Sequence, residues 1–138
     1  MGLTRYELEK VKRLHSELST LKERHAGIID SLNRLNTELN GLPKSHNTES
    51  RLASLVSLMI DIEKQIADLQ AELANARADV TTEIFSATNL SKNEVTVIMR
   101  RYVDLLPFAT IASELNYSEN CIFTYHRQAL KKLGIRRK

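Results

Sequence analysis

Four histidines, one cysteine and a polar run near the C-terminus carry the side chains of this sequence that could do chemistry. His15, His25, His46 and His126 are scattered. No two of them share ligand spacing with a carboxylate or thiol, so no metal site is expected. Cys121 is alone, which excludes an internal disulfide and a cysteine-based metal cluster. A reducing compartment, and with it the cytoplasm, is the expectation. Its place in the first turn of a helix would suit a redox sensor, but a small, inert side chain is the preferred reading. There is no glycine-rich phosphate loop, no Gly-x-Ser-x-Gly elbow and no nucleophile beside a base. The sequence therefore predicts a binding protein with no cofactor, not an enzyme.

The polar run is more informative. If the helix around residues 119–127 enters the major groove of double-stranded DNA, its outward side chains can read base edges. Glu119 can accept from a cytosine amine, and Asn120 can pair bidentately with adenine. Phe123 and Thr124 can meet a thymine methyl, and Arg127 can reach guanine or phosphate. Further along, Lys131, Lys132, Arg136, Arg137 and Lys138 suit phosphate contact, as do Arg100 and Arg101 two helices earlier. The charge is divided accordingly. Residues 1–88 hold 11 basic and 13 acidic side chains, whereas residues 89–138 hold 9 basic and 4 acidic. A basic end on a near-neutral body points to a polyanion.

Such side chains need short, firmly placed helices, and residues 89–138 supply the signals. Ser91-Lys-Asn-Glu94 is a capping box that opens a helix through Val95, Ile98, Met99 and Tyr102. The next helix starts at about Pro107, which suits a first turn, and continues through Phe108, Ile111, Ala112 and Leu115. Asn116 tolerates the left-handed conformation of a tight turn. Ser118 caps a third helix with Ile122, Tyr125, Ala129, Leu130 and Leu133 facing inward, ending at Gly134. Helix, short turn and second helix, with Ala112 small at the close approach, is the helix-turn-helix pattern.

Residues 1–88 read differently. Val11, Leu14, Leu18, Leu21, His25, Ile28, Leu32, Leu35 and Leu39 alternate steps of three and four, a heptad seam. His25 in that seam tunes register, as polar seam residues do. At ~1.5 Å per residue this makes a rod of about 54 Å. Gly41, Pro43 and neighbouring cap formers place a turn at about 41–50. A second seam follows at Leu52, Leu55, Met59, Ile62, Ile66, Leu69, Leu73, Ala76 and Val80. Two matched seams predict an antiparallel hairpin, closed within one chain or swapped between two. Val56, Leu58 and Ile60 lie off the stripe and are read either as a patch for a second subunit, making a homodimer or other oligomer, or as cover for the loop around Leu42. The fold class expected is all-α: a coiled-coil hairpin, then a three-helix domain. No apolar run approaches the ~20 residues of a membrane span, and residues 1–10 lack a signal-peptide core.

Residues 93–133, above all Met99 to Ser118 and Tyr125 to Leu130, resemble the fourth region of bacterial sigma factors. They are similar more closely to RinA and ArpU-type phage transcription regulators. The resemblance implies a DNA-binding helix-turn-helix and, by way of the sigma likeness, an activator of phage or mobile-element genes working beside RNA polymerase. Residues 105–107, Leu-Leu-Pro, replace the glycine-containing entry usual in those families, and Ala109 and Thr110 replace a common acidic pair. Two other readings stand beside this one. The chain could be the small DNA-recognition subunit of a phage packaging terminase, or an adaptor whose hairpin binds a protein such as a repressor.

Overall fold

The computed structural model describes residues 3–39 and 46–135. It is all-α among those residues: α1 Arg5–Leu39, α2 His46–Ser86, α3 Lys92–Tyr102, α4 Phe108–Leu115 and α5 Glu119–Lys132. The first two form the expected long hairpin. Gly41 and Pro43 of the predicted turn lie outside the described residues, but its second half is corrected. Residues 46–50 are already helical. Glu49 in that first turn is placed where a negative charge favours a helix start.

Every described seam position on both helices is buried or half-buried, so the spacing of threes and fours does select the packed stripe. The seams also extend beyond their sequence-based limits. Leu8 joins at the start of α1 and Ile84 at the end of α2, both at most 2% exposed. The chain packs as two compact units, Met1–Leu14 with Leu73–Lys138, and His15–Glu72. The cut runs through the hairpin, so its base groups with the C-terminal helices.

In the unit of residues 15–72, His25 Nε2 of α1 lies 3.5 Å from Glu63 Oε1 of α2. Leu21 and Ile28 share a groove with Leu58 and Ile62. The pairing of low with high numbers makes the helices antiparallel, and the half-buried His25 marks the register as a polar seam residue should.

In the other unit, Tyr6 and Lys10 of α1 line one surface groove with Ala76, Val80 and Glu83 of α2. Its C-terminal helices enclose Val97, Ile111, Ala112 and Ile122, with Leu106, Phe108, Leu115 and Tyr125 packed around them. Ala112 is buried between its neighbours, as its small size requires. Local signals fix the ends of these helices. The Ser91 capping box is formed on both sides, with Glu94 N–H donating to Ser91 Oγ and Ser91 N–H to Glu94 Oε1.

The turn between α4 and α5 comprises residues 116–118. Asn116 takes φ 59° and ψ 39°, and the Tyr117 N–H closes back onto the Ala112 carbonyl at 3.0 Å. Ser118 Oγ then accepts from the Cys121 N–H at 3.2 Å. At the far end of α5, Gly134 at φ 75° and the Ile135 N–H on the Leu130 carbonyl complete a Schellman motif. The turn before α4 also holds a left-handed residue, Leu105 at φ 57°. Leucine pays a Cβ penalty in this conformation that glycine would not.

Candidate nucleic-acid interface

The fifth helix has a buried face and an exposed one. Ile122, His126, Ala129 and Leu130 are buried. Asn120, Phe123, Thr124, Arg127 and Lys131 recur at steps of three and four and so form a stripe on the opposite side. Glu119 sits at the edge of that stripe, in the first turn. All are exposed except Thr124, which is half-buried. The stripe from Asn120 to Lys131 extends about 16 Å along the helix at ~1.5 Å per residue.

Among the described residues, Glu119, Arg127 and Lys131 make no ion pair, and no side-chain hydrogen bond holds them or the Asn120 amide. Thr124 differs, because its hydroxyl donates to the Asn120 carbonyl at 2.9 Å, leaving the methyl as its outward feature. Phe123 is 42% exposed and leans on Phe108 of α4, ring centroids 4.9 Å apart. That contact fixes its ring from one side only.

The cations expected to contact phosphate are sorted by the structure. Lys131 is outward and unpaired, whereas Lys132, 100° further round the helix, places Nζ 2.7 Å from Glu94 Oε1. Arg100 pairs with Glu114 at 2.7 Å. Arg101 lies 4.2 Å over the Phe108 ring and donates to the Leu106 carbonyl. These three side chains hold helices together as placed. Arg136, Arg137 and Lys138 lie outside the described residues.

Glu94 is the group whose electrostatics stand out. It is 2% exposed. Burial pushes its carboxyl up, but the Lys132 ammonium and the Ser91 backbone and hydroxyl outweigh that and hold it below the usual carboxylate range.

Sequence reasoning missed two features of this unit. His126 is absent from the inward positions read off the third short helix, yet it is buried, with Nε2 2.7 Å from the Tyr102 hydroxyl and its ring stacked on Tyr102. Phe108 meets it edge-on. Asn93 Nδ2 bonds both Tyr125 and Tyr117 hydroxyls, tying α3 to α5 and to the turn before it.

Cys121 is half-buried and free. No group of His, Cys, Asp and Glu among the described residues could hold a metal ion, and no helix there is long and apolar enough to cross a membrane.

On the hairpin, Val56, Leu58 and Ile60 are exposed, at 36, 48 and 59%. They do not make one patch. Leu58 borders the groove with Leu21, Ile28 and Ile62, while Val56 and Ile60, one turn apart, lie about 160° from it around the helix. No protein-family model, curated protein or solved structure matches the chain.

Proposed function

We propose that this protein is a sequence-specific double-stranded-DNA-binding transcription regulator of phage type, with α4, its turn and α5 serving as the helix-turn-helix and α5 as the recognition helix. The observation that carries this reading is the division of α5. One face builds the core, while Asn120, Phe123, Arg127 and Lys131 form an outward stripe whose polar groups the fold does not use. Those residue types match base edges and a phosphate, and an α-helix fits the major groove. The left-handed Asn116 and the Ser118 cap give the short turn such a motif needs.

The base-reading set is Asn120, Phe123, Arg127, the Thr124 methyl and Glu119, with Lys131 on phosphate. The sigma-like resemblance of residues 93–133 adds action beside RNA polymerase as an activator. The test is selection of genomic fragments by the purified full chain, sequenced at two salt concentrations. Enrichment of one motif that persists at the higher salt supports specific regulation. Featureless, salt-sensitive binding or none refutes it.

A further inference from the structure

The hairpin presents an exposed face on α2, alongside its seam, whose residues are complementary to themselves when reversed. Val56, Ile60, Glu63, Ala67 and Gln70 repeat at steps of four and three, and all are exposed. Ser57, Lys64 and Ala71 flank them and are exposed as well. Ile29 of α1, 39% exposed, belongs to the same side. The His25–Glu63 pairing sets α1 residue 29 level with about residue 59 of α2, beside Val56 and Ile60. This is a second heptad stripe with two large apolar residues at one end and alanines at the other.

We propose that this face is the two-fold interface of a homodimer, in which α2 packs antiparallel on α2 of a second copy about an axis between Glu63 and Lys64. In that register Ile60 meets Ala67 of the second copy, Val56 meets its Ala71 and Ser57 meets its Gln70. Each large side chain is thus opposed by a small one, the condition for interdigitation at native density. Glu63 meets Lys64 of the second copy, and symmetry makes the pair twice. Glu63 is 52% exposed beyond its contact with His25, and Lys64 makes no ion pair among the described residues. The parallel alternative puts like on like, Glu63 against Glu63 and Lys64 against Lys64, which charge disfavours. The inference rests on the hairpin alone and stands whether or not α5 binds DNA.

The test is sedimentation of the full chain over a range of concentrations, with helicity by circular dichroism as the control for folding. The wild type is expected to dimerise, and Ile60→Lys, at an exposed site, to raise the dimer dissociation constant at least about tenfold. Glu63→Lys and Lys64→Glu are each expected to lose the dimer, because each opposes like charges twice. Mixing the two singly substituted chains restores both attractive pairs and is expected to recover a heterodimer. A monomeric wild type, a dimer indifferent to Ile60→Lys, or a mixture that stays monomeric overturns the proposal.

Discussion

Replacing Lys132 by Ala separates a structural cation from its neighbour Lys131, proposed to contact DNA. Its Nζ is 2.7 Å from Glu94 Oε1, and that carboxylate is 2% exposed while the Lys132 side chain is 41% exposed. Removing one partner of a fully buried pair costs about 3–5 kcal/mol, because the remaining charge is stranded. Here the lysine end is wet, so solvent screens the pair and the cost falls to about 1–2 kcal/mol. Glu94 also keeps its bonds with Ser91, which limits the loss. At roughly 4 °C per kcal/mol, the melting temperature is expected to fall by about 4–8 °C.

Lys131→Ala removes an exposed, unpaired side chain and is expected to leave the melting temperature within about 2 °C. The assay is thermal unfolding by circular dichroism for both variants, alongside the salt dependence of their DNA binding. Lys131→Ala should lower the salt slope by roughly one unit, and Lys132→Ala should leave it unchanged once the protein is folded. A stable Lys132→Ala protein with a reduced salt slope would refute the reasoning. It would show that the ammonium leaves Glu94 for phosphate at no cost to the fold.

Asn120→Ala and Arg127→Ala should each cost about 1–3 kcal/mol on the cognate site, with little effect on other sequences, in quantitative binding titrations. Equal losses on all sequences would move that residue from the base set to the phosphate set. Asn116→Gly is expected to keep or slightly raise stability, since glycine adopts φ 59° freely, whereas Asn116→Val should lose at least about 1 kcal/mol in a denaturant titration. Glu94 makes stability depend on acid. Its folded carboxyl titrates below the ordinary range, so its contribution is complete above that range and is lost as pH falls through about 4.3 and below. Melting temperatures followed into acid should drop less steeply in Glu94→Gln than in the wild type.

What the sequence alone determined is local or periodic. The two seams were legible because a three-four repeat of apolar side chains has one low-energy use, a helix packed along one stripe. Ser91 with Glu94, Asn116, Ser118 and Gly134 marked their helix ends because a cap or a left-handed residue acts within a few positions of itself. Leu105 shows the limit. Its left-handed conformation has no local sequence signal, since leucine disfavours it and only the surrounding packing imposes it.

The candidate site divides the same way. Which side of α5 faces outward followed from spacing. That Lys131 is unpaired while Lys132 serves Glu94, 38 positions earlier, did not, because such a partner is chosen by how α3 and α5 pack. His126 had a legible signal in the spacing of Ile122, His126, Ala129, Leu130 and Leu133, but its place in the core depends on Tyr102, which satisfies a polar ring that burial would otherwise penalise. Likewise the number and order of apolar residues on α2 gave Val56, Leu58 and Ile60 as surplus to the seam. Helix periodicity separates Leu58 from the other two, but only the hairpin's register against α1 set Leu58 beside Leu21 and Ile28 and brought Ile29 level with Val56 and Ile60.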